Sequence, residues 1–187
     1  TRYIGVTGVQ TCALPISASG IYNSAEPPRD CPLCPRLVAY RRENQRQNPD
    51  WYNGPAPSFG DLNGRLMVAG LAPGRQGANR TGRPFTGDHA GWLLYETLGK
   101  FGFAQGAYEA RPDDGLTLTD CMITNAVRCA PPGNKPETSE ENTCRPFLTR
   151  RIEAVTTSAP LLRTVTEAVV PASAAMVDRS IQTPLHR

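Results

Sequence analysis

Between Gly70 and Asp88 the chain reads GLAPGRQGANRTGRPFTGD, with five glycines, two prolines, three arginines and one terminal carboxylate in nineteen residues. Glycine lets main chain come close to a flat or anionic ligand. The arginines suit phosphate, Phe85 offers a ring for stacking, and Asp88 offers a charge or a base. Together these groups describe a pocket for a nucleotide base. The loop carries no Gly-Lys-Ser/Thr and no dinucleotide fingerprint, so neither standard phosphate-binding motif accounts for it. Glycine–proline loops are often mere connections; the load of chemically distinct groups argues for a site here.

Cysteines supply the second chemistry. Cys31-Pro-Leu-Cys34 puts two thiols within reach of one metal centre, and Cys129 and Cys144 follow with fourteen residues between them. A zinc ribbon wants a second C-x2-C pair, which is missing, whereas four scattered thiolates suit an iron–sulfur cluster. Zinc, a thioredoxin-like redox pair and disulfides stay open as alternatives on spacing alone. Cys121 sits inside an apolar run and reads as a small core residue.

These groups need elements to position them. Leu66 to Gly70 predicts a strand that empties into the glycine-rich loop, where α/β proteins build their sites. Cys121 to Val127, CMITNAV, predicts a second strand, apolar enough to be buried on both faces. Gly91 to Phe101 predicts a helix with Trp92, Leu93, Leu94, Leu98 and Phe101 on its apolar face. After Cys34, Leu37, Val38 and Tyr40 recur at near-helical spacing, with the arginines on the other side. Thr138 and Glu141 form a capping box for a helix toward Ala154, with a possible kink at Pro146. Strand, loop, helix, repeated twice, implies an α/β fold with a parallel sheet wrapped in helices.

Length and composition set the frame. The 187 residues amount to one domain, and the net charge of +3 does not by itself prove a nucleic-acid partner. Only Lys100 and Lys135 are lysines, an arginine bias compatible with DNA and also with a GC-rich genome. No run of eighteen apolar residues exists, so no membrane span is expected. Val6 to Ile16, VTGVQTCALPI, matches the translation of a common sequencing adapter. Residues 1–16 are therefore expected to be non-native and dispensable, which removes Cys12 from the cysteine set. Residues 17–154 read as the domain. From 155 to 187 the chain has no glycine, no Phe, Trp or Tyr and no lysine, and this atypical segment reads either as an ordinary C-terminal helix and tail or as a frame-shifted end.

The motifs CPLCPRLVAYRRE, GLAPGRQGANRTGRPFTGD, ITNAVRCAPPGNKP and TCRPFL, in that order, resemble the iron–sulfur uracil-DNA glycosylases, most closely their type-5 branch. The resemblance covers roughly Pro27 to Ala154. It implies a three-layer α/β/α domain around a central parallel sheet of four strands, incomplete here. It also implies a structural [4Fe–4S] cluster on Cys31, Cys34, Cys129 and Cys144. The implied reaction flips uracil, or another deaminated base, out of DNA and hydrolyses its N-glycosidic bond, opening base-excision repair. By similarity Phe85 stacks on the base and Asn125 reads its Watson–Crick edge. Gly70, Leu71, Ala72, Pro73 and Gly74 form the backbone wall that supports the leaving base, and Asn79 is a further polar candidate. Asp88 is the favoured catalytic carboxylate, with Asn125 beside it. The implied setting is a prokaryotic cytoplasm, with DNA as partner, no membrane and a monomeric enzyme.

One departure stands out. The family continues with a late histidine-containing loop, whereas the histidines here are His89 and His186. The chain as given is therefore expected to excise uracil poorly. A non-catalytic cysteine–metal domain that only binds nucleic acid is the competing reading, and an electron carrier is a third that has no need of a base pocket.

Overall fold

The computed structural model describes residues 24–87 and 89–158. The adapter-like segment 1–16, Asp88 and the tail beyond residue 158 lie outside the described residues. Two five-residue strands form the centre: β2 (Leu66–Gly70) and β5 (Cys121–Asn125), paired in parallel with Leu66 opposite Cys121 and Gly70 opposite Asn125. Every residue of β5 is buried, as an interior strand of an α/β sheet requires. A parallel pair needs a long crossover. Here it contains the short α2 (Ala78–Thr81), the helix α3 (His89–Lys100) and a ribbon of β3 (Ala104–Gln105) and β4 (Thr117–Leu118).

The α/β class read from the sequence holds, with a mixed sheet in place of a purely parallel one. The two-residue β1 (Phe59–Gly60) leaves the proline-rich connection and pairs antiparallel to β5, giving the order β1-β5-β2. A strand that short carries no periodicity in the sequence. The main core gathers Tyr95, Leu98, Leu116, Leu118, Cys121 and Ile123, so Cys121 is the core residue expected.

Helix α3 buries Leu98 and packs Leu94 against the core, as expected, but turns the rest of the expected stripe outward. Gly91, Tyr95 and Leu98, at i, i+4 and i+7, are its buried residues, while Trp92, Leu93 and Phe101 are 51%, 62% and 75% exposed. Gly91 sets this rotation. A Cβ there would overlap the carbonyl oxygen of Phe85, so the glycine is the point where helix and site loop touch.

The cysteine-bearing half has its own small core. Helix α1 (Pro35–Gln47) starts with Cys34 at its N-cap and Pro35 in its first turn, where a missing N–H costs nothing. Its buried residues are Leu37, Arg41 and Asn44, so Arg41 belongs to the inner face and not to the solvent side expected for the arginines. Helix α4 (Thr138–Ser158) runs without a break through Pro146 and continues past Ala154. Its N-terminal box is one residue earlier than expected: the backbone N–H of Glu137 donates to Glu140, not Glu141, at 2.9 Å. Leu37, Val127, Cys144 and Phe147 form the core of this half. Among the described residues no helix is long and apolar enough to cross a membrane.

Candidate functional site

Parallel pairing brings the carboxyl ends of β2 and β5 side by side, and the pairing carries on past the strands. The N–H of Ala126 donates to the Gly70 carbonyl at 2.8 Å, and that of Val127 to the Leu71 carbonyl at 2.9 Å. The glycine-rich loop therefore leaves the sheet exactly beside the exit of β5. Gly70, Phe85 and Asn125 meet there. A Cβ placed on Gly70 would lie 2.6 Å from Asn125 Oδ1 and 2.8 Å from Phe85 Cζ. Only hydrogen fits between the amide and the ring.

Asn125 is 3% exposed, and its Nδ2 has no hydrogen-bond partner among the described residues. A buried amide nitrogen without an acceptor costs about 1–3 kcal/mol, and it is the sort of group a ligand's carbonyl would satisfy. Phe85 sits at φ +54°, the left-handed region that bulky residues avoid. The strain is held from below by side-chain hydroxyls, one carbonyl after another. Thr86 donates to Arg83 O at 2.7 Å, Tyr95 to Pro84 O at 2.7 Å and Tyr108 to Phe85 O at 3.0 Å. Burial pushes the Tyr95 phenol upward, so it remains a donor.

Beneath the loop, Arg83 makes a two-pronged bond to Asp114 at 2.8 and 2.6 Å, with its carbon 5.3–5.4 Å from the rings of Phe59, Tyr95 and Tyr108. The Arg83 guanidinium, helped by the N–H groups of Glu109 and Leu116, holds the Asp114 carboxyl well below the usual carboxylate range. Sequence reasoning missed Tyr95, Tyr108 and Asp114. The last two come from the segment between β3 and β4, and no local pattern links them to Phe85.

The other loop residues have different neighbours. Gly74 turns the chain by accepting the N–H groups of Gly77 and Asn79 at 3.2 and 3.1 Å. Asn79 is buried and donates its amide to Asn53 Oδ1 at 3.1 Å, which ties the loop to the segment before β1. Ala72 packs against the core of the cysteine-bearing half together with Cys34 and Cys129. Pro73 follows it, so one short segment runs from the strand end at Gly70 to the core of the cysteine-bearing half. Asp88 lies outside the described residues.

Cys31, Cys34, Cys129 and Cys144 line a single cavity, closed by Leu37, Val127 and Phe147. Cys31 comes from the segment before α1, Cys34 from its cap, Cys129 from the exit of β5 and Cys144 from α4. All four are free thiols, and Cys121 stands apart in the main core. Among the described residues no three His, Cys, Asp or Glu groups are arranged to hold a single metal ion. The four thiols are nonetheless soft donors around one cavity, the donor chemistry that a thiophilic metal centre takes. Backbone N–H groups of Leu33 and Arg128 point at Cys31 and Cys144, and Arg41 donates to Cys129 Sγ at 3.6 Å. Burial nonetheless pushes the metal-free thiols up, Cys34 and Cys129 to about 11 and Cys144 to about 12. Ligation by a positive centre is what would turn such buried thiols into thiolates.

Residues 57–166 match the family model described as the uracil DNA glycosylase superfamily. The match continues beyond Ala154, as α4 does. The chain is 43% identical over 130 residues to the type-5 uracil-DNA glycosylase of Pyrobaculum aerophilum, covering 67% of this chain and 58% of the relative. It is 48% identical over 120 residues to that of Thermus thermophilus, covering 61% and 54%. A type-4 uracil-DNA glycosylase of Saccharolobus solfataricus is 36% identical over 100 residues, covering 53% and 40%. The chain thus spans a little over half the length of the type-5 relatives from Pyrobaculum and Thermus.

Proposed function

Because the chain belongs to the uracil DNA glycosylase superfamily, we propose that it hydrolyses the N-glycosidic bond of uracil in DNA. The meeting of Gly70, Phe85 and Asn125 at one point carries this reading. A ring beside a buried amide with an uncommitted N–H suits a planar base with a carbonyl on its edge. A buried amide is out of reach of a stacked base, so the nucleotide is flipped out first.

In the proposed reaction the C1′–N1 bond breaks and its electron pair leaves with the base. The developing charge is met by the Asn125 amide and by backbone N–H groups around Leu71 to Gly74. Water supplies the oxygen that bonds to C1′, and its proton passes to the departing base or to solvent. Asp88 is the proposed carboxylate, orienting that water or stabilising the cationic sugar. Asn79, engaged with Asn53, is assigned to positioning the loop.

Cys31, Cys34, Cys129 and Cys144 are the residues that would hold a [4Fe–4S] cluster. The shared cavity and the N–H donors aimed at three of the sulfurs support this assignment. When bound, the cluster supplies a covalent tie between the segment before α1, the β5 exit and α4, without a part in bond breaking. The proposed enzyme acts as a monomer on uracil-containing DNA in a prokaryotic cytoplasm.

The test is an abasic-site assay on duplex DNA containing one uracil. Release of free base with an alkali-labile site supports the reading. A gel shift with no released base points to a domain that only binds nucleic acid.

A further inference from the structure

Four arginines are buried among the described residues: Arg41, Arg83, Arg128 and Arg151. Three of them face a carboxylate. Arg83 pairs with Asp114, and Arg128 and Arg151 share Glu26, each at 2.6 Å. Arg41, 9% exposed on the inner face of α1, has no carboxylate partner among the described residues. Its guanidinium instead donates to Cys129 Sγ at 3.6 Å through Nη1 and to the Cys31 carbonyl at 3.1 Å through Nη2.

A buried cation with no counter-charge is strongly unfavourable. The groups it does face belong to the cysteine cavity. One arm reaches a sulfur from the β5 exit and the other reaches the main chain of the segment before α1. These are the two halves of the cysteine set, distant in sequence and brought together only by folding. The planar fork of arginine can span both at once, as a lysine ammonium cannot.

Resting on the cluster assignment above, we infer that Arg41 is a positioning residue for the iron–sulfur centre. Its charge balances the negative charge of the thiolate-ligated cluster, and its fork clamps Cys129 to the Cys31 segment. Groups that hydrogen-bond to ligating atoms tune a metal site as well as hold it, and their loss costs about 10- to 100-fold in metal affinity. A hydrogen bond and positive charge at a ligating sulfur also favour the reduced cluster, so removing them lowers the potential.

The experiment uses the full chain, purified anaerobically, with Arg41→Met and Arg41→Lys. Iron content, the rate of iron loss to a chelator and the midpoint potential by spectroelectrochemical titration are read on each. The wild type is expected to hold about four irons per chain. Arg41→Met should lose iron about 10- to 100-fold faster and show a more negative potential. Arg41→Lys should retain much of the potential but still lose iron faster, because the fork is gone. If Arg41→Met does not fold, the lysine variant decides by its iron-loss rate. A folded, iron-loaded variant with wild-type release rate and potential overturns the role of Arg41 while leaving the cluster assignment intact. Faster loss at an unchanged potential in Arg41→Met overturns the electrostatic role. A wild-type chain without iron overturns the cluster assignment and, with it, this inference.

Discussion

Gly70 and Asn125 are partners on the last rung of the parallel β2–β5 ladder, and the space where a Gly70 Cβ would stand lies 2.6 Å from Asn125 Oδ1. Phe85 Cζ closes the other side of that space at 2.8 Å. A side chain at position 70 therefore drives the ring and the amide apart. Gly70→Ala is expected to lower single-turnover uracil release on the order of 100-fold, the usual consequence of misplacing binding groups by about 1 Å. Both displaced groups are side-chain ends, so the melting temperature should move little. Unchanged excision by Gly70→Ala would remove this point from the site.

Tyr108 bears on the backbone of the same residue, Phe85. Its hydroxyl caps the carbonyl of Phe85, a residue held at φ +54°. Tyr108→Phe leaves that carbonyl without its donor and should cost about 1 kcal/mol of stability, as for a typical buried hydrogen bond. Uracil release should fall along with it, because the strained turn that presents Phe85 relaxes. Equilibrium denaturation and single-turnover kinetics on the same preparation check both halves.

The ion pair beneath the loop makes an acid-pH prediction. Arg83 holds Asp114 below the ordinary carboxylate value of about 3.9. Between that value and the lowered one, the unfolded chain takes up a proton that the folded chain refuses, so stability rises with pH across the window. The contribution is complete above about pH 4 and is lost as pH falls through the lowered value. Asp114→Asn should therefore be less stable than wild type at neutral pH, with the gap narrowing below about pH 4. A gap independent of pH from 2 to 6 would show that the carboxylate charge is not what holds Arg83.

Asp88→Ala tests the proposed carboxylate. It should slow base release on the order of 100-fold or more, as expected when a charge-stabilising group is removed from a reacting centre. Binding of uracil-containing DNA, measured by anisotropy at fixed salt, should stay near wild type. Full single-turnover excision by Asp88→Ala would assign the chemistry elsewhere.

What was legible in the sequence follows the physics of each element. Leu66–Gly70 and the start of the second strand at Cys121 stand out as apolar runs, the second buried along its whole length and the first half-buried. Gly70 stands where the first run ends, whereas Asn125 lies inside the run expected over Cys121 to Val127 and is named only through the resemblance carried by ITNAVRCAPPGNKP. Tyr95 was overlooked because the obvious apolar residues of α3, Trp92 and Leu93, face outward. The rotation of that helix is set by Gly91 meeting the Phe85 carbonyl, a contact between segments that no periodicity encodes. Tyr108 and Asp114 reach the loop only through folding. Arg41 did leave a signal: it falls at i+4 from Leu37 and i−3 from Asn44, on the buried stripe of α1. A charge on such a stripe needs a partner, and the cysteines are the nearest chemistry.

The central claim is that uracil docks against the Phe85 ring and the Asn125 amide and that its bond to the sugar is then broken. Its most direct test is single-turnover incubation of excess protein with a duplex carrying one uracil, counting free uracil and abasic sites for wild type and Asn125→Asp. The substitution keeps the size of the side chain but replaces the uncommitted Nδ2 donor with a carboxylate oxygen. Wild type, even if slow, should release uracil and form abasic sites in equal number, and Asn125→Asp should lose at least about 100-fold of that rate, as when a buried polar contact to a substrate is left unmade. Uracil release at the same rate by Asn125→Asp, or DNA binding by wild type with no free uracil at any time, would contradict the account.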